Sequence, residues 1–204
     1  MKILVVADDR SFEELVILST EVNWQRKSDP STFDSADNAD AFFNLMDNAS
    51  EYSYAHVQQP VFINSVTQTL KEKSHQANVV RCNGWKGFME RPIWEIAGKI
   101  SHFHEKILNT LNRKYIALND EPGFISARML AMIINEAYYA KQEKVSTEKE
   151  IDIAMKLGTN YPKGPFEWKE LIGIKNIYTL LKTLAETDPR YSPALLLESE
   201  ALQL

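Results

Sequence analysis

Apolar residues enter this chain as a continuous run, Ile3-Leu4-Val5-Val6, the pattern of a strand buried on both faces of a parallel sheet. Ser11, with Glu14 three residues later, has the spacing of a capping box. It predicts a helix that carries Phe12, Leu15, Val16 and Leu18 along one stripe. A short second strand is expected at Val22 to Gln25. Lys27 to Asp40, rich in Ser, Asp, Asn and Pro, reads as loop. Further strands are expected at Ala41 to Met46, Val61 to Val66, Val79 to Cys82, Trp94 to Ala97 and Tyr115 to Leu118. Short helical segments are expected between them at Asn48 to His56, Thr67 to Ser74 and Ile100 to Leu111. Strands alternating with short helices predict an α/β domain with a largely parallel sheet.

The pattern changes at Pro122-Gly123, which reads as a hinge. From Phe124 to Ile134 only Ser126 and Arg128 are polar, so a helix here is expected to be buried on most of its circumference. Thr147 and Glu150 form a second capping box, opening a helix with Ile151, Ala154, Met155 and Leu157 on one side and Gly158 as its stop. Tyr161-Pro-Lys-Gly-Pro165 is a rigid turn that places Pro165 at the first position of the next helix. Phe166, Trp168, Leu171 and Ile172 follow as its buried side. Ile177 to Leu184 and Pro193 to Leu202 complete an all-helical second half. The expected domains are 1–120, α/β, and 121–204, helical.

Composition narrows the function classes. A net charge of −5 without a Lys/Arg stripe argues against nucleic acid. The single cysteine, Cys82, leaves no internal disulfide, which fits a reducing compartment. No run of about 18 apolar residues is present and the first apolar run is too short for a signal core, so no membrane span is expected and the cytoplasm is the default location. In nucleotide-binding folds the first strand–helix turn carries glycines that admit a pyrophosphate. Here that turn is Ala7-Asp8-Asp9-Arg10, whose carboxylates oppose a diphosphate.

Three stretches of the second half carry a resemblance: EPGFISARML (Glu121 to Leu130), DIAMKLGTNYPKGPFEWKELIGI (Asp152 to Ile174) and DPRYSPALLL (Asp188 to Leu197). They resemble the C-terminal domain of the L-3-hydroxyacyl-CoA dehydrogenases, in order and in spacing. VVRCNGWKGFMERPIWEI (Val79 to Ile96) and VFINSVTQTL are similar, more weakly, to that family's catalytic strand and its N-T-S-S segment. The resemblance implies a compact Rossmann-like NAD domain followed by a helical dimerisation domain. It also implies hydride transfer between NAD and a 3-hydroxyacyl-CoA, with a histidine as general base and a glutamate to orient it.

Carried over residue by residue, the family's site is largely replaced. Glu95 holds the glutamate position and is the catalytic residue retained. Asn83 falls where the family has its histidine, and a carboxamide cannot accept a proton at neutral pH. Ala127 stands at the position of a substrate-binding asparagine. Asn64 is kept and Ser65 is its neighbour, whereas the family's serine falls on Val66. The helical pair that contacts CoA has no counterpart in the Lys27 to Asp40 loop. His75, His102 and His104 are the nearest alternative bases, and the last two, two apart on a helix, point to different faces. The resemblance therefore implies a homologue without NAD or redox activity, acting as a binding or structural protein. Its expected partners are a second copy through the helical domain or a complete paralogue, with an acyl-CoA as a small-molecule ligand and no metal. An active NAD-dependent dehydrogenase and a CoA-ester binder are the alternatives.

Overall fold

A computed structural model describes residues 1–72 and 77–203. It divides into two compact units, Met1–Phe124 and Ile125–Leu204, so the boundary falls four residues beyond the expected one.

The first unit is a seven-stranded sheet. Its strands are β1 (Lys2–Val6), β2 (Asn23–Arg26), β3 (Ala41–Asn44), β4 (Val61–Asn64), β5 (Val79–Cys82), β6 (Ile93–Gly98) and β7 (Lys114–Leu118), with helices α1 (Asp9–Val16) and α2 (His102–Thr110). The strand order is β2-β1-β3-β4-β5-β6-β7. Pairing is parallel except between β5 and β6, which run antiparallel with Cys82 opposite Ile96. The chain leaves β1 toward one side for β2 and crosses to the other for β3. A topological switch point therefore lies at the carboxyl ends of β1 and β3.

The two faces of the sheet are covered differently. On one, Ile3, Val5, Phe43, Phe62 and Trp94 meet Leu15 of α1, Ile107 and Leu108 of α2, and Leu111 just after it. The Phe43 and Phe62 rings stack there at 4.5 Å. On the other, Leu4, Val6, Phe42 and Ile63 are covered by Phe33, Ala49, Tyr54 and Val57, which come from loops and a 3-10 turn rather than from α-helices.

Several local expectations are corrected. The N-cap of α1 is Asp8, whose carboxylate accepts the Ser11 N–H at 2.8 Å, so Ser11 lies in the first turn and Glu14 is no capping partner. The Lys27 to Asp40 loop contains short 3-10 turns at Pro30–Thr32 and Ser35–Asp37. The segment Asn48 to His56 contains one 3-10 turn, Ala49–Glu51, instead of an α-helix. Of the expected helix from Thr67 to Ser74, residues 67–72 form turns, and Lys73 and Ser74 lie outside the described residues.

The second unit comprises α3 (Ser126–Gln142), α4 (Glu148–Thr159), α5 (Pro165–Ile172), α6 (Ile174–Ala185) and α7 (Leu195–Leu202). Helix α3 buries one face, Ala127, Ala131, Ile134, Asn135, Ala137 and Tyr138, not most of its circumference, and Met129 is exposed. Helix α4 has its capping box at Thr147 and Glu150, but it runs through Gly158 and stops at Asn160, which takes the left-handed conformation (φ 56°). Its apolar side is not buried: Leu157 is 83% exposed, and the buried residue of α4 is Asp152.

Asp152 explains the rigid turn that follows. Its carboxylate accepts the Phe166 N–H at 2.8 Å, satisfying a donor in the first turn of α5 from outside that helix. A methyl group on Gly164 would lie 2.2 Å from that carboxylate, so the position admits glycine alone. Pro165 opens α5 at a position whose N–H has no helical partner in any case. Glu167 then closes back on the Gly164 N–H at 2.9 Å. Tyr138 and Lys141 of α3 both bond Glu200, at 2.5 and 2.8 Å, tying α3 to α7.

Candidate functional site

The carboxyl edge of the sheet unit gathers the polar residues on which chemistry would depend. After β1 the chain runs Ala7-Asp8-Asp9 into α1. Asp8 bonds the Ser11 N–H and forms an ion pair with Lys86 at 2.8 Å. Burial alone would raise the Asp8 carboxyl, but the Lys86 and Ser11 hydrogen bonds outweigh it and hold it below the ordinary carboxylate value. Asp9 pairs with Arg26 at 2.6 Å, and the same guanidinium donates to the Ala7 carbonyl from Nε (3.1 Å) and Nη2 (2.7 Å). The end of β2 is thus fastened across the end of β1.

The loop that follows β5 is fastened to α1 as well. The Gly87 N–H points between both Glu14 oxygens, at 2.8 and 2.9 Å. Burial raises the Glu14 carboxyl above its usual value, against the lowering effect of the Gly87 N–H and Arg10. Trp85 and Phe88 of this loop are buried, with ring centroids 6.5 Å apart at nearly a right angle.

Asn64, Ser65, Asn83 and Glu95 come together at this edge. The Asn64 side chain accepts the Gly84 N–H at 3.1 Å and donates to Asp47 at 3.3 Å. A methyl group on Gly84 would lie 2.8 Å from Asn64 Cβ, so this pair fits only because residue 84 lacks a side chain. Ser65 Oγ donates to the Gln68 carbonyl at 2.6 Å. Asn83 Nδ2 donates to Glu95 Oε2 at 3.3 Å, and Asn83 Oδ1 accepts the Trp85 N–H at 3.4 Å. The antiparallel course of β6 is what returns Glu95 to the carboxyl end of β5. Val66 is buried, and its carbonyl accepts the Gly123 N–H at 2.7 Å. Ala127 is fully buried on α3, in the other unit, and brings no polar group.

Of the alternative histidines, His104 does not supply a base at this edge. His104 is 1% exposed and serves structure. Its Nδ1 accepts the Ser101 N–H at 3.2 Å, and its Nε2 faces the Asn78 carbonyl at 3.0 Å. Those partners fix the neutral tautomer with the proton on Nε2. Burial lowers its pKa, opposed by the bond to Asn78. Asn78 precedes β5, so His104 contacts the amino end of that strand, and Asn78 is five residues, about 16 Å of extended chain, from Asn83 at the other end. His102 is exposed, its ring 3.9 Å from that of Phe103. His75 lies outside the described residues. Cys82 is buried beneath the edge, and burial pushes its thiol up to about 12, which makes it inert as a nucleophile at neutral pH. Among the described residues no cluster of His, Cys, Asp or Glu has a metal-binding arrangement, and no helix is long and apolar enough to cross a membrane.

Arg26, Lys86 and Asp47 escaped sequence reasoning, and Glu14 was read only as a capping partner. Each acts through a partner distant in the chain, and only the position of Arg26 at the end of the second expected strand could have drawn notice. What the edge offers chemically is hydrogen bonding and charge from Asn64, Ser65, Asn83 and Glu95.

Residues 123–202 match the family described as 3-hydroxyacyl-CoA dehydrogenase, C-terminal domain. The chain is similar to 3-hydroxyadipyl-CoA dehydrogenase of Escherichia coli K12, 41% identical over 97 residues, which are 47% of this chain and 20% of that protein. It is likewise similar to a probable 3-hydroxybutyryl-CoA dehydrogenase of Bacillus subtilis 168, 37% identical over 89 residues, 43% of this chain and 31% of that one. The matched stretch thus spans between a fifth and a third of the length of these curated relatives. The fold is shared with the crystal structure of Mycobacterium tuberculosis FadB2, at a TM-score of 0.77 and 13% identity over 98% of this chain and 93% of that one.

Proposed function

We propose that this chain, whose residues 123–202 match the C-terminal domain of the 3-hydroxyacyl-CoA dehydrogenase family, is a member that keeps the two-part architecture as a binding or structural homologue and does not use NAD. The observation that carries this reading is the N-terminus of α1. In a dinucleotide fold that helix end, with its free N–H groups and positive dipole, receives the pyrophosphate. Here the Asp8 carboxylate already sits on the Ser11 N–H and pairs with Lys86, and Asp9 beside it pairs with Arg26, so the helix end and the cations next to it are already engaged by carboxylates. These residues do not fit a diphosphate. At the other end of the site, Asn83 gives Glu95 a neutral amide partner that has no proton to exchange at neutral pH. Asn83 cannot take the proton of a hydroxyl undergoing oxidation, which leaves that task to a carboxylate such as Glu95.

A thermal-melt titration with NADH tests the proposal. A ligand that binds only the folded chain adds ~2.7 kcal/mol at about 100 Kd, a shift of several degrees. No shift at several millimolar is expected; a saturable shift would overturn the reading. The similarity to 3-hydroxyadipyl-CoA dehydrogenase favours the alternative, an active NAD-dependent 3-hydroxyacyl-CoA dehydrogenase. That alternative predicts the shift together with turnover of acetoacetyl-CoA. A shift with an acyl-CoA but none with NADH would favour a CoA-ester binder.

The partner in this proposal is a second copy or a complete paralogue, met through the helical unit. Supporting it are the exposed apolar side chains of α4, Ile153 and Leu157, one turn apart, and of α3, Met129. Sedimentation of the wild type and of Leu157→Glu, alone and mixed with a full-length dehydrogenase, tests it. Monomer in every case would reject it.

A further inference from the structure

A fully buried arginine fastens three separate pieces of chain. Arg81, on β5, is 0% exposed. Its Nε donates to Asp120 Oδ1 at 2.6 Å, and its Nη1 to the carbonyls of Ser65 (3.0 Å) and Val66 (3.5 Å). Its Nη2 donates to the Glu121 carbonyl, and the Phe124 ring lies over the guanidinium at 4.5 Å. Asp120 in turn accepts the N–H groups of Leu70 (3.2 Å) and Lys71 (3.1 Å). The Gly123 N–H reaches the Val66 carbonyl at 2.7 Å. All of these groups belong to the sheet unit.

The same connector is strained. Gly123 has φ 93° and Phe124, a bulky residue, has φ 48°. A phenylalanine holds the left-handed region only where its surroundings enforce it. A proline and a glycine side by side would otherwise make the freest point in the chain. A buried guanidinium is a costly choice for filling a β-strand flanked by valine and cysteine. Its planar fork, however, can bond carbonyls and a carboxylate in fixed directions, which a lysine cannot.

We propose that Arg81 is a latch that holds the strained connector 119–124 as part of the sheet unit's rigid body. The chain then passes to the helical unit after Phe124, and the Pro122–Gly123 turn is no pivot.

Amide hydrogen exchange on the full chain, read residue by residue, tests this. In the wild type the Gly123, Leu70 and Lys71 amides are expected to exchange as slowly as those of β4. In Arg81→Met they should exchange at least ~100-fold faster, since breaking a buried pair opens its neighbourhood. Amides of β4 and the Ala194 amide, which bonds Asn135 in the helical unit, should change far less. Should Arg81→Met fail to fold, Asp120→Asn, which preserves shape and removes the charge, is expected to give roughly 10-fold acceleration at the same three amides. Three results would overturn the latch: loop-like exchange of Gly123 in the wild type, unchanged exchange in the foldable variant, or acceleration no greater than that of the β4 amides.

Discussion

The two units use their polar residues in opposite ways. In the helical unit the residues of the family pattern hold the fold together: Asp152 caps α5 from outside, Gly164 makes room for that carboxylate, and Glu167 closes the cap. In the sheet unit the switch-point edge is stitched to itself by Asp8–Lys86, Arg26 on the Ala7 carbonyl, and Glu14 on Gly87. The strand order remains that of a doubly wound domain. Backbone architecture and site chemistry are therefore separable: the first depends on where apolar groups and caps fall, the second on a handful of side chains that can change without moving a strand.

The sharpest way to break this contrast is Gly164→Ala. The added methyl meets Asp152 at 2.2 Å, and overpacking of this kind costs about 3 kcal/mol. The helical unit should lose that stability in denaturant melts while the sheet unit's signal is unchanged. The next largest effect is a pH dependence confined to the sheet unit. The folded-state pKa of His104 is depressed by burial, so the unfolded chain takes up its proton first. Stability is full above the unfolded value near 6.5 and falls as pH is lowered below it, by at most ~1.4 kcal/mol per pH unit. His104→Gln, which preserves the capping box with Ser101, should flatten that limb of the curve.

Asp8→Ala probes the stitched edge directly. Loss of the N-cap should cost about 1 kcal/mol and lower the melting temperature by several degrees. The smallest expected change is a gain. Gly158 sits inside α4 with nothing within 4 Å of where a side chain would begin. Gly158→Ala should therefore stabilise the helical unit by ~0.8 kcal/mol, measurable as a raised denaturant midpoint at constant m-value.

Much of the strand pattern was legible because continuous apolar runs such as Val61 to Ile63 have few alternatives in a sheet buried on both faces. The helical half was legible through Thr147, Pro165 and the glycines. The errors at helix ends, in both units, came where two residues competed for one task. Asp8 and Ser11 both suit an N-cap, and the short turn after β1 decides for Asp8. Gly158 and Asn160 both tolerate a helix end, and the helix continues to Asn160. The irregular cover over one sheet face was invisible because 3-10 turns have no apolar period. Asn64, Ser65, Asn83 and Glu95 were singled out through the family resemblance, and the fold brings them to one edge of the sheet. Arg81 was not, since its carboxylate partner, Asp120, lies 39 residues away in the chain.

The Asp8 carboxylate at the head of α1 has a consequence for any anion that approaches this edge. It is a tethered competitor, present at an effective concentration set by a two-bond side chain and not by the solution. Dilution never removes it, and raising an external ligand displaces it only after the Lys86 contact is also surrendered. An outside anion would therefore show an affinity weakened by the whole closed-to-open ratio of this internal ligand.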